Sequence, residues 1–299
     1  MSISHHRVSP LKRSERRWAL FFLFPSLAGF LAFTLLPVAA SLVLSFVKWN
    51  LISTPEFIGL DNYFKALRDP MFWRVLKNTA VYTLGTVPTS MALSLFLALA
   101  LNQKIRGVTL FRGLFYLPVV APMVAVAMVW RWLYSTDFGI INYLLNLVGV
   151  SAVPWLTSTR WAMPAVMIMS VWKGLGYGMV IYLAGLQGIP QHLYDAAAVD
   201  GANGWQRFRH VTVPMLSTTT FFVMVTSVIS SFQVFGQVYI MTRGGPANAS
   251  STIVYYIYQN GFESFRMGYA SALSWLLFAV IFAFTVIQFR AQRERIYYE

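Results

Sequence analysis

The 299-residue chain contains no cysteine, which excludes a disulfide framework and any thiolate-ligated metal centre. Charge is scarce as well. Asp, Glu, Lys and Arg together make up 11% of residues, where a soluble globular domain carries about a quarter. Catalytic signatures are missing too. There is no G-x-x-x-x-G-K loop to cradle nucleotide phosphates, no G-x-S-x-G nucleophile elbow and no H-E-x-x-H zinc helix. His5, His6, His192 and His210 form no pair at i, i+4 metal spacing. These absences argue against an enzyme or a metal site.

What is present is hydrophobic: 57% of residues, with 16% aromatic. A formal charge of +13 suits nucleic acid in a soluble protein, but in a membrane protein it follows from Lys and Arg collecting on inner-face segments. We therefore expect an all-α membrane protein that binds no nucleic acid. A helix crossing the hydrocarbon needs about 20 mainly apolar residues. Six stretches qualify: Trp18–Val47, Asn78–Gln103, Gly113–Trp130, Trp161–Leu186, Val213–Thr242 and Met267–Phe289. Pro25, Pro37, Pro88, Pro118, Pro122 and Pro164 fall in or near them and predict kinks or breaks. The first stretch follows basic residues, as a signal peptide would, but it is too long for one and has no small-residue cleavage site after it. It reads as a retained helix.

The division that follows is a tail 1–17, a membrane domain 18–289 and a tail 290–299. Thirteen Lys and Arg lie on the side shared by both termini, counting Lys104, Arg106, Arg112, Arg207 and Arg209 with the tails, against nine on the other side. This bias places both termini in the cytoplasm. The outer connections, 48–77, 131–160 and 243–267, are long, and apolar patches such as Ile140–Val150 suggest small interfacial helices within them. No low-complexity segment and no internal repeat stands out. Asn248-Ala249-Ser250 matches a glycosylation sequon too short to carry weight.

Between spans four and five lies a polar island, residues 190–214, whose core reads LYDAAAVDGANGWQRFRHVTVP. Pro190 suits the first position of a helix, which can run to Asp200 before Gly201 takes the left-handed C′ position. Asn203 can cap a second helix from Trp205 to Thr212, carrying a Trp205, Phe208, Val211 stripe and ended by Pro214. One reading is a linker helix on the membrane surface, which would be strongly amphipathic with basic residues opposite the apolar face. The alanine-rich, acidic first helix fits better into a partner's groove, with Ala196, Ala197 and Ala198 allowing close approach.

The island resembles the EAA loop of ABC-importer permeases, E-A-A, three residues, G, nine residues, I-x-L-P. Here the pattern is Asp195-Ala196-Ala197, then Gly201, then Val211, Val213 and Pro214, with every spacing kept. Asp195 is one methylene shorter than the motif's glutamate, and valines replace Ile and Leu. The segments SVWKGLGYGMVIYLAGLQGIP, YIMTRGGPANASSTIVYYIY and MGYASALSWLLF also resemble the maltose-type carbohydrate branch, so the likeness covers most of the chain. It implies that the island is a coupling helix, with Asp195, Ala196, Ala197, Asp200, Gly201, Ala202 and Pro214 at its contact with the ATPase. It also implies a dimer of cytoplasmic ATP-binding subunits, a second homologous permease and an extracytoplasmic solute-binding protein. ATP and Mg would sit on the ATPase and no cofactor on this chain. The implied function is half of a translocation pathway for a sugar or oligosaccharide in the inner membrane, with a glycerol-phosphate importer as runner-up.

Candidate pathway residues come from the pattern itself. Thr226, Ser230, Gln233 and Gln237 recur at helical steps and make a polar stripe, suited to a cavity or to interhelical bonds. Lys173 interrupts span four, where a buried cation must find a partner, snorkel or face the interior. Trp172, Tyr177 and Tyr182 stand near it and suit a sugar ring, while a structural lysine bonded to carbonyls explains Lys173 equally well. Gly174 and Gly178 read as a small-xxx-small packing face rather than a nucleotide loop. An intramembrane hydrolase would need a nucleophile and base pair that does not stand out. A self-sufficient carrier or channel would have no use for a patterned docking segment.

Overall fold

The prolines and their caps set where the helices begin, bend and stop. The computed structural model describes residues 10–103 and 106–292. His5, His6, Lys104 and the tail from Arg293 lie outside them. The described chain is mostly helical, and its departure from an all-α fold is a short antiparallel pair, β1 (Val47–Lys48) with β2 (Glu56–Phe57), in the register Val47 opposite Phe57. Four helical segments are long and apolar enough to cross a membrane singly: Trp18–Ser45, Pro70–Leu101, Ala162–Gln187 and Met267–Ala291. Two bent pairs raise the number to as many as six.

The described chain forms two compact units. The first comprises the described residues up to 66, with 260–275. In it α1 (Pro10–Phe30) runs through a wide π turn, Leu31–Leu35, into α2 (Leu36–Ser45). The turn is closed by Leu36 N–H donating to Leu31 O, one residue before Pro37. Proline has no N–H and its ring crowds the carbonyl four residues back, so widening the preceding turn lets the helix continue through it. After β2, α3 (Asp61–Arg68) sends Asn62 back, its Nδ2 donating to Ser45 O at 2.9 Å and Val47 O at 3.0 Å. A Cβ on Gly268 would lie 1.7 Å from Val47 O, so only glycine fits there.

The second unit comprises the described residues of 67–259 and those from 276 on. α4 (Pro70–Leu101) begins eight residues before the expected start. Asp69 caps it by accepting from Met71 N–H at 2.8 Å, and Pro70 takes the first helical position, a start signal within what read as loop. The third expected span is not one helix: α5 (Val108–Val120) and α6 (Met123–Leu133) meet at 97° across Ala121-Pro122. The connection that follows forms α7 (Ile140–Leu147), as its apolar pattern predicts. Buried Asn142 holds that loop, its amide donating to Val153 O and accepting from Val153 N–H and Trp155 Nε1–H. α8 (Ala162–Gln187) follows, with Pro164 in its first turn.

The island forms α9 (Gln191–Val199), α10 (Gly204–Arg207), a π turn Phe208–Thr212 and α11 (Val213–Met215). Pro190 is the residue before α9, one place earlier than expected. Pro214 does not end the helix. As at Pro37, a wide turn precedes it, closed by Val213 N–H to Phe208 O, and the break comes at Leu216. α12 (Ser217–Phe232) leaves at 64° to the preceding segment. The fifth expected span is therefore cut at both ends, for α12 stops at Phe232 and the chain resumes as α13 (Gly236–Met241). α14 (Ile253–Tyr258) and α15 (Met267–Gln292) complete the described residues, α15 belonging to both units.

Lipid tails are as apolar as leucine, so burial gives helices little reason to associate within a bilayer, and close packing must do it. α8 is built for that. A Cβ on Gly178 would lie 2.6 Å from Ser94 Oγ of α4, and one on Gly174 3.6 Å from Ser90 Oγ. Both glycines of the predicted small-residue face thus meet α4. Two buried clusters flank this contact. One gathers Tyr82, Val126, Met163, Met169 and Val238, the other Ala98, Leu101, Met179, Tyr182 and Leu216.

Candidate functional site

The island keeps its own backbone satisfied. Gly201, at φ +75°, closes α9 with two bonds: Ala202 N–H to Ala197 O at 2.9 Å and Gly201 N–H to Ala198 O at 3.1 Å. These are the paired bonds of a left-handed helix end. Asn203 and Gln206 form a reciprocal cap, Gln206 N–H to Asn203 Oδ1 at 2.9 Å and Asn203 N–H to Gln206 Oε1 at 2.7 Å. Tyr194 OH and Thr212 Oγ1, 3.0 Å apart, tie α9 to the π turn. Because these groups bond one another, the outward surface is free of structural duty.

That surface carries the expected contact residues. Asp195, Ala196, Asp200 and Gly201 are exposed, Ala197, Ala202 and Pro214 half-buried. Val199 is 88% exposed and Trp205 66%, so the island presents bare apolar side chains beside its carboxylates. Asp195 accepts from Gln191 Nε2 at 3.1 Å, one turn back on its own helix. Ala197, Asp200, Gly201, Ala202, Gln206 and His210 line a depression of about 330 Å³. The Trp205 and Phe208 rings lie 5.4 Å apart, tilted at 32°, keeping the predicted stripe's first two members together.

The second site is a cavity of about 360 Å³ lined by α4, α8 and α12, with single residues from α5, α6 and α13. Four of the seven pathway candidates line it: Lys173, Tyr177, Ser230 and Gln237. Three do not. Trp172 packs on Trp130 at 5.4 Å, Tyr182 is 1% exposed inside an apolar cluster, and Gln233 is exposed where α12 has ended. The polar stripe assumed one continuous helix through residue 237. The break after Phe232 rotates Gln233 away, while Gln237 returns on α13 and donates to Ser170 Oγ at 3.3 Å.

The opposite wall is one the sequence reading missed. Tyr82, Thr86, Ser90 and Ser94 of α4 all line the cavity. They recur at steps of four, which puts them on one face of a helix, and that periodicity is a signal the residues themselves carry. Ser170, Ser227 and Ser231 join them. Most of these hydroxyls are anchored. Thr86 Oγ1 donates to Tyr82 O at 2.7 Å, Ser94 Oγ to Leu175 O at 3.0 Å and Ser231 Oγ to Thr83 Oγ1 at 2.9 Å. Ser90, Ser227 and Ser230 have no partner among the described residues. Lys173 donates to Pro118 O and Ala121 O, each at 2.8 Å, and more distantly to Val119 O at 3.4 Å. These are the carbonyl bonds of the structural reading offered for Lys173.

Comparison with known proteins places these features in a family. Residues 90–295 match the model for the binding-protein-dependent transport system inner membrane component. A probable ABC transporter permease of Bacillus subtilis, YesP, is 39% identical over 93% of this chain and 91% of its own length. The lactose transport system permease LacF of Rhizobium radiobacter is 36% identical over 96% of this chain and 98% of its own. A chain in the crystal structure of a bacterial alginate ABC transporter, in complex with an alginate pentasaccharide-bound periplasmic protein, shares the fold. Its TM-score is 0.84 at 24% identity, covering 95% of this chain and 97% of that one. A helical chain with these apolar spans, an EAA-spaced island and such relatives belongs to the binding-protein-dependent inner-membrane components, the permease subunits of ABC transporters, in which a separate subunit hydrolyses ATP.

Proposed function

We propose that this chain forms half of the translocation pathway of an ATP-driven importer for a sugar or oligosaccharide. The name of the lactose-system relative supports the solute class. In this reading the chain crosses the membrane six times, each bent pair counting as one crossing, with both termini at the inner face. A second, homologous permease supplies the other half, and a solute-binding protein delivers to the long outer connections. The cavity lined by α4, α8 and α12 is this chain's share of the route.

The observation that carries the coupling is one of connectivity. The island is exposed and internally bonded, and it joins α8 directly to the α11–α12 break, so it links two helices whose polar side chains line the cavity. A push on α9 from an ATPase subunit therefore reaches both without an intermediary. Closing of two ATP-bound subunits would rock these helices against their partners, alternating the cavity between inner and outer faces.

Gly201 tests this. Nothing lies within 4 Å of a Cβ placed there, so a substitution acts through backbone conformation and not through collision. Gly201→Val in the assembled importer is expected to leave ATP hydrolysis running while solute uptake falls, because β-branched residues resist positive φ. Gly201→Asn, which tolerates that conformation, is expected to keep the two linked. Equal uptake per ATP in the valine variant and the native complex would remove the island from its assigned role.

A further inference from the structure

Among the described residues lining the cavity, the one charged side chain is Lys173. Its surroundings decide what that charge is for. α5 stops at Val120 and α6 starts at Met123 after a 97° bend. In an unbroken helix Pro118 O would accept from the residue four places on, but that residue is Pro122, which has no N–H. The break places Val119 O and Ala121 O at the same corner. An ammonium offers three N–H donors, and here they point at Pro118 O, Ala121 O and, at longer range, Val119 O. The C-terminal end of a helix carries partial negative charge, so the ammonium also sits where the end of α5 offsets it.

An anion entering the cavity would have to draw Lys173 off these carbonyls. The carbonyls would then lose the ammonium they hold, a loss that offsets the new ion pair. The other polar groups on the wall are hydroxyls and one amide. Ser90, Ser227 and Ser230 are unpartnered among the described residues, and Tyr177 lines the same space. Hydroxyls donate and accept equally, which matches the hydroxyls of a neutral solute. Anions call for donors alone, and preferably cations.

We propose that Lys173 is a clasp on the broken α5–α6 helix, leaving a cavity that passes uncharged, polyhydroxylated solutes and rejects phosphorylated or carboxylated ones. This rests on the cavity being part of the solute route. It separates a sugar importer from the glycerol-phosphate alternative by a feature of this chain.

Because the chain has no cysteine, Ser230→Cys gives a single reactive thiol facing the cavity. The complete importer carrying it is treated with neutral, cationic and anionic methanethiosulfonates of similar size, each rate normalised to that with a free thiol. An uncompensated charge in a cleft raises counter-ion encounter by about tenfold or more. The neutral reagent is expected to react, with the anionic and cationic rates within tenfold of each other. A larger advantage for the anionic reagent means a free positive charge and overturns the proposal, and one for the cationic reagent overturns it equally. No reaction with any of the three means the cavity is not on a water-filled route, so the pathway reading fails first and this inference with it. Lys173→Met supplies a second readout. As a clasp its loss lowers the melting temperature of the detergent-solubilised importer, whereas unchanged melting overturns the clasp.

Discussion

Gly176 has no room for a methyl group. A Cβ there would lie 2.3 Å from Phe115 O and 2.8 Å from Tyr116 Cα, both backbone atoms of α5, so the two helices would have to separate. Its neighbours Gly174 and Gly178 face α4, and their spacing of four made that packing legible in the sequence. Gly176 was not legible, because its need comes from a second helix arriving on another face of α8. Gly176→Ala is expected to destabilise the importer by about 1–3 kcal/mol, the range for forced overpacking. Gly113→Ala, on the exposed surface of α5 with nothing within 4 Å, is the matched control. It is expected to be neutral or to stabilise by about 0.5–1 kcal/mol. Thermal melts of the two variants in detergent decide it, and equal melting points would contradict the close approach. Lys173 teaches the same lesson. Its need for a partner was legible, but the partner was not, since Pro118 and Ala121 lie more than fifty residues away.

At the scale of elements, local chemistry held wherever a cap could be read from adjacent residues. Gly201 and Asn203 take the conformations expected of a left-handed helix end and an N-cap, because the bonds involved span only three to five residues. Removing a cap of this kind costs about 1 kcal/mol. Asn203→Ala is therefore expected to speed amide exchange at Gln206 about fivefold, with Asn203→Asp restoring protection, as hydrogen-exchange mass spectrometry would show. Exchange unchanged in the alanine variant would mean that α10 is held by packing and not by its cap. Proline was less legible. Pro214 looked like a stop, yet it and Pro37 each follow a π turn that absorbs the missing donor. Pro122 does break its helix. All three are prolines in apolar surroundings, and the wide turn that separates the outcomes has no signature in the residues themselves.

For the whole molecule, the six proposed crossings and the charge bias predict one orientation, and the absence of cysteine from this chain makes it simple to test. Val199→Cys on the island, at a site 88% exposed, is expected to react with a membrane-impermeant maleimide only from the cytoplasmic side. Val148→Cys, 73% exposed just after α7, is expected to react only from outside. Both labelled from one side would overturn the orientation and, with it, the meeting of island and ATPase. The sequence by itself determined the membrane class, the approximate spans, the island with its glycine turn and the family likeness. Each rests on composition or on patterns within a few residues along the chain. Only the tertiary structure decided which polar groups share a cavity, why Trp172, Tyr182 and Gln233 do not, and what occupies Lys173. Those outcomes depend on where helices break and which faces then meet, and the interactions that settle them join residues far apart in the chain.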